Sequence, residues 1–187
     1  KNSLQSVASL VRVYKGRAER GEDMADAFDA IGRRIEATAA LHQMLHDSPL
    51  DDAVMMDDFL KEIASLLQDS APDNVSISCE ASPVAISTSV ASSIAVIVSE
   101  FVANSIKHAF VDGQSGHVAI SGKSLADGTL EITCEDNGDA NPESTAAKTS
   151  ASGLGKRIMK ASASQIGATL ENGPGPKGYR MVLTLPG

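Results

Sequence analysis

The sequence contains no tryptophan, and aromatic residues make up only 3% of its 187 positions, so a core has to be assembled from Leu, Ile, Val, Ala and Met. Cations are also in short supply. The net charge is -8, and a chain without a basic surplus is poorly suited to a phosphate backbone; nucleic acid is excluded as a main partner, leaving proteins and small molecules. The two cysteines, Cys79 and Cys134, lie in strand-like runs with neither pairing nor metal-ligand spacing. They read as buried reduced thiols, which points to a cytoplasmic setting. No apolar run approaches the roughly 20 residues that span a bilayer. The longest, Val90 to Val98, is broken by Ser92 and Ser93 and reads as a buried helix, so no membrane contact is expected within the chain. The opening Lys1-Asn2-Ser3 lacks the apolar stretch of a secretory signal. Hydrophobic content of 42% and charged content of 21% are ordinary for a globular protein.

No proline precedes Pro49. Over that stretch Leu4, Val7, Val11 and Tyr14 mark the apolar stripe of a first helix, and Met24, Phe28, Ile31 and Ile35 that of a second running to about Asp47. Two helices joined by the short segment around Gly16 to Gly21 make a hairpin that cannot cover both apolar stripes alone, so a second copy completing a four-helix bundle is expected. Residues 46–52 read as a linker, and about Met55 to Gln68 as an amphipathic helix connecting the hairpin to a second domain. From Asn74 the period changes to that of strands. The expected elements are strands at Asn74 to Glu80 and Pro83 to Ile86, then a helix from the Ser87-Thr88-Ser89 capping cluster to His108. Strands come next at His117 to Lys123 and Thr129 to Glu135, then a helix at Leu154 to Ile166, and strands at Ala168 to Glu171 and Tyr179 to Leu185. The fold class is therefore α+β: a helical hairpin (1–50), a connecting helix (51–71) and an α/β sandwich (72–187) with helices on one face of a mixed sheet.

Three segments of the sandwich carry chemistry. Glu100, Asn104, Lys107 and His108 fall at spacings of four, three and one, on one face of a helix that otherwise reads as buried. A carboxylate, an amide and an ammonium desolvated together need partners, and Mg²⁺ with a triphosphate would supply them. An ordinary solvated polar face gives the same spacing. Asp136-Asn137-Gly138 ends a strand, where a carboxylate can accept from an adenine amino group and a glycine lets a base approach the backbone, although a plain turn reads the same way. Gly153-Leu154-Gly155 opens a helix, where free N–H groups favour phosphate.

In this order and spacing the three segments resemble the N, G1 and G2 boxes of the ATP-binding domain of bacterial two-component sensor histidine kinases, which is similar to those of DNA gyrase, Hsp90 and MutL. The opening Lys1-Asn2-Ser3-Leu4-Gln5 and the Lys107-His108-Ala109-Phe110 ending resemble the subgroup called HisKA_2. The resemblance implies that Asn104 ligates Mg²⁺ with Glu100 in the metal and water shell, as the catalytic pair. Lys107 and His108 would face the phosphates and Asp136 the adenine. Gly138 would flank the base, Gly153, Leu154 and Gly155 would let the adjoining lid close on the phosphates, and Tyr179 would border the adenine. It further implies ATP as cofactor, a homodimer, a response regulator receiver domain as partner, and a phosphoacceptor histidine just before Lys1, absent from this chain. His42 and His46 share a face of the second helix but have no acidic neighbour placed as a base. An alternative is a phosphatase or phosphotransfer scaffold with a degenerate nucleotide domain. The sequence departs from the pattern at Ala140 (usually glycine), Asn141 (usually branched apolar), Lys156 (usually apolar) and Tyr179 (usually threonine). These changes predict weakened nucleotide binding with the metal-binding helix intact.

Overall fold

The computed structural model describes residues 52–110, 114–138 and 153–187, together with Gly32, Ile35, Glu36, Ala39, Ala40, Gln43 and Met44, which are helical. The first helix of the expected hairpin, the turn after it, His42, His46 and the Ala140-Asn141 pair lie outside the described residues.

A first short strand, β1 (Ala53–Met55), leads directly into α1 (Met56–Asp69). The buried residues of α1, Met56, Phe59, Leu60, Ile63, Ala64 and Leu67, recur at three- and four-residue steps and form one stripe. Asp57 and Asp58 occupy the first turn, where carboxylates oppose the positive end of the helix dipole. β2 (Val75–Ala81) and β3 (Ala85–Ser87) come next, then α2 (Thr88–His108). Ser87 caps α2 by accepting from the Val90 amide at 3.4 Å, and the basic residues Lys107 and His108 occupy its last turn, where the Lys107 charge opposes the negative end of the helix dipole. α2 is long and apolar enough to cross a membrane by length and composition, yet 61% of that stretch is buried inside the fold. The chain continues through β4 (Gly116–Ser124), β5 (Leu130–Asp136), α3 (Gly153–Gln165), β6 (Thr169–Pro174) and β7 (Tyr179–Leu185).

Five strands form one sheet in the order β2-β4-β5-β7-β6, parallel only between β2 and β4. Alternation sends Val118, Ile120, Ile132, Cys134, Met181 and Leu183 inward. They share one core with α1, with Ile94, Ile97, Val98 and Phe101 of α2, and with Met159 of α3. The α+β class with helices on one face of a mixed sheet is thus observed. The helix expected to serve as a connector is packed into this same core, with Met56, Phe59 and Leu60 fully buried. Its stripe is wide enough to need covering, and the sheet provides the cover. The cysteines are free thiols, Cys134 buried and Cys79 half-buried, and desolvation pushes both thiols up.

β1 is not foreseen by the sequence pattern. It pairs antiparallel with β3, and the Asp52 carbonyl accepts from the Thr88 amide at 3.1 Å, fastening the incoming chain to the start of α2. Three residues carry too little alternation to be read as a strand, and Asp52 at φ 57° adopts a left-handed turn that Asp tolerates better than most residues.

The outer edge of β2 is closed by one side chain. Gln68 of α1 donates from Nε2 to the Val75 carbonyl at 3.0 Å and accepts at Oε1 from the Ile77 amide at 2.7 Å, reproducing a strand's pairing with an amide group. Gln68→Leu removes both bonds and leaves two half-buried backbone groups unpaired, at a cost of about 2 kcal/mol. Thermal unfolding should show Tm lowered by roughly 4–8 °C for a domain of this size; an unchanged Tm would mean water replaces the amide without loss.

Candidate functional site

α2 and the start of α3 bring the first and third segments together. Half-buried Glu100 and Asn104 lie one turn apart, and the first turn of α3 sits against them. A Cβ placed on Gly155 would lie 3.0 Å from Glu100 Oε2, 3.7 Å from Asn104 Nδ2 and 3.9 Å from Asn104 Oδ1. Gly155 therefore lets the backbone of α3 come down on two hard oxygen donors. Gly153 and Leu154 lie in the same first turn, where N–H groups lack intrahelical partners. Lys107 and His108, expected on a buried face, are exposed. The helix runs out of the core in its last turn, so the face that is covered at Glu100 is open to solvent there.

Asp136 ends β5 and is buried, with 3% exposure. Its Oδ1 accepts from the amides of Gly138 at 3.2 Å and Tyr179 at 3.0 Å, and its Oδ2 accepts from the Ser105 hydroxyl at 2.7 Å. Buried carboxylates persist where such donors replace water. Gly138 lies against Ala109, whose carbonyl oxygen would be struck by any Cβ there. Its evident role is thus to let β5 meet the end of α2, a closer constraint than the base approach expected from the sequence. Tyr179 reaches Asp136 through its backbone N–H, which a threonine would offer equally. Its half-buried ring packs against the core beside Asp136, and desolvation, with the neighbouring carboxylate charge second, raises the phenol above its ordinary pKa.

Two residues escape the sequence pattern. Ser105 follows Asn104 in an apolar helix, and the signal available is a buried hydroxyl that needs a partner. Gly178 supports the β6–β7 turn directly over Asp136: a Cβ there would strike the Asp136 carbonyl oxygen and lie 2.5 Å from Oδ1. In sequence it is only one member of a Gly-Tyr-Arg segment.

The donor set fits a nucleotide with a hard cation. Among the described residues no three His, Cys, Asp or Glu side chains converge on a metal position, so a cation beside Asn104 and Glu100 would take its other ligands from phosphate oxygens and water, the habit of Mg²⁺.

Residues 1–71 match the family model described as histidine kinase, and residues 89–187 match that of the histidine kinase-, DNA gyrase B-, and HSP90-like ATPases. The chain is 27% identical over 191 residues to blue-light-activated histidine kinase 2 of Erythrobacter litoralis, covering 100% of this chain and 54% of that protein. It is 27% identical over 163 residues to the sensor histidine kinase PdtaS of Mycobacterium tuberculosis, covering 86% of this chain and 32% of that one. The chain thus spans about half or less of these relatives. The structure of the histidine kinase domain from the Erythrobacter litoralis EL346 blue-light activated histidine kinase superposes with a TM-score of 0.75 at 25% identity, over 96% of this chain and 85% of that one. With both matched regions in the expected order, and with the ATPase match covering more than half its length, the chain belongs to the sensor histidine kinases with a HisKA_2 region and a gyrase- and HSP90-like ATPase domain.

Proposed function

We propose that this chain binds Mg-ATP and serves a two-component histidine kinase, transferring the γ-phosphoryl group to a histidine on the N-terminal side of Lys1 and then to an aspartate of a response regulator. The observation that carries the reading is that α2 meets both halves of the site: Glu100 and Asn104 lie under Gly155, and the next residue, Ser105, bonds Asp136. Asn104 and Glu100 would hold Mg²⁺, which neutralises charge on the transferring phosphate. Asp136 would take the adenine amino group, the N–H groups from Gly153 to Gly155 would face phosphates, and Lys107 and His108 would supply positive charge at the helix end. In phosphoryl transfer a protein chiefly positions groups and neutralises charge, and these residues are of the types that do so. The carboxylate of Asp136, held in place by three donors with an acceptor position left for a base, supports this reading over a scaffold with a degenerate nucleotide domain.

The hairpin at residues 1–50 would pair with a second copy. In support, Ile35 is 52% exposed, a large apolar side chain that a partner helix would cover. The setting would be cytoplasmic, in keeping with two free thiols. Incubating a chain extended upstream to include the histidine with γ-labelled ATP should give an acid-labile, base-stable phosphoprotein that discharges to a receiver domain. A nucleotide-binding protein that never labels itself, yet strips phosphate from a receiver, would favour the phosphatase reading.

Tyr179 places bulk beside Asp136 where the family has threonine. Tyr179→Thr combined with Ala140→Gly is expected to tighten ATP binding severalfold to tens of fold, equivalent to about 1–2 kcal/mol. Competition against a fluorescent nucleotide would measure it; weaker binding would mean that the ring stacks on the base.

A further inference from the structure

The two oxygens of Asp136 are unequally used. A carboxylate oxygen offers about two acceptor positions and no donor. Oδ1 is filled by two backbone amides, those of Gly138 and Tyr179, which persist whatever side chains stand there. Among the described residues Oδ2 receives a single bond, from the hydroxyl of Ser105 at 2.7 Å, and that bond depends on one side chain. Ser105 is itself buried at 4% exposure, so its proton has little competition from water. With Oδ1 pinned from the β5 and β7 ends and Oδ2 pinned from α2, the carboxylate cannot turn about its own axis, and one acceptor position on Oδ2 is left over.

We infer that Ser105 is the positioning residue for base selectivity, holding Asp136 so that its remaining acceptor position reads an exocyclic amino group on a purine. This rests on the reading of Asp136 as the base-binding carboxylate. The hydroxyl proton of Ser105 is committed to Oδ2, so neither group offers a donor to a base bearing a carbonyl at that position. Such a base would bring its oxygen against a carboxylate and leave both unpaired. Because Ser105 adjoins Asn104, consecutive residues of α2 carry the hydroxyl that aims the base-reading group and the amide proposed for the metal, while α2 is itself anchored by its cap at Ser87.

The test compares ATP with purine riboside 5′-triphosphate, which keeps the ring and phosphates but lacks the amino group, on the 187-residue chain with Mg²⁺. The wild-type chain should prefer ATP by about tenfold or more, the scale expected when a buried group is left without its partner. Ser105→Ala should reduce that preference severalfold by weakening ATP alone, with binding of the analogue and its dependence on Mg²⁺ unchanged. Ser105→Thr, which keeps the hydroxyl, should restore the preference. Equal weakening of both nucleotides by Ser105→Ala would show a purely structural role and overturn the inference. So would a wild-type preference that Ser105→Ala leaves intact, with ATP binding itself unaffected. A wild-type chain that binds neither nucleotide would overturn the ATP reading and this inference with it.

Discussion

Gly178→Ala is expected to weaken ATP binding by about 10- to 100-fold, equivalent to roughly 1.4–2.8 kcal/mol. The added Cβ would meet the Asp136 carbonyl oxygen, Asp136 Oδ1 at 2.5 Å and the Gly138 carbonyl oxygen at 2.8 Å. Two of these three atoms are backbone and cannot swing aside. The β6–β7 turn would have to lift, stretching the 3.0 Å bond from the Tyr179 amide to Oδ1 and releasing one side of the carboxylate. Gly173, on the same hairpin, is a built-in control, because a Cβ there meets nothing within 4 Å. Gly173→Ala should therefore change affinity little, as surface substitutions usually shift stability by no more than about 0.5 kcal/mol. Equilibrium dialysis with radiolabelled ATP on the two variants measures the difference. Equal affinities would show that the turn does not hold Asp136 for the base.

Asn104→Ala is expected to remove the Mg²⁺-dependent part of nucleotide affinity and to lower phosphoryl transfer by on the order of 10²-fold or more, the scale seen when one positioned electrostatic group is lost. The amide oxygen is a hard donor of the kind Mg²⁺ takes. The variant should fold normally, since Asn104 is only half-buried and α2 is held by the apolar residues on its other faces. Autophosphorylation rates of the chain extended upstream to include the acceptor histidine, measured across a magnesium series, separate the effects. A variant whose rate still rises with magnesium as the wild type does would remove Asn104 from the metal site and leave Glu100 as the candidate among the described residues.

Much of this architecture is readable from periodicity. α2 is bounded by its serine cap and its basic last turn, and β4, β5 and β7 by strict alternation, because each element has one face in the core. Most element ends differ by one or two residues from those the pattern implies, as at Gly153 rather than Leu154 for α3 and Ser87 rather than Ile86 for β3, while β6 runs three residues past Glu171 to Pro174. The features that periodicity does not reveal depend on contacts between segments distant in sequence. Ser105 and Asp136 are 31 residues apart, and nothing local distinguishes this serine from Ser93 or Ser99, which are also buried in α2. Gly178 and Gly173 look alike in sequence, and only the approach of the turn to Asp136 separates them. The spacing of Glu100, Asn104, Lys107 and His108 identifies a common helical side correctly but not its depth, because burial changes along the helix as it leaves the sheet. Gln68 is a polar residue on the flank of an amphipathic helix, and its service to the β2 edge comes from packing that no helical pattern encodes.

The central claim, that α2, β5, β7 and α3 together hold Mg-ATP, is tested most directly by calorimetric titration of the 187-residue chain with ATP, with and without Mg²⁺. The account predicts saturable binding of one nucleotide per chain, tightened by Mg²⁺. Heats that never saturate, or an affinity indifferent to magnesium, would contradict it.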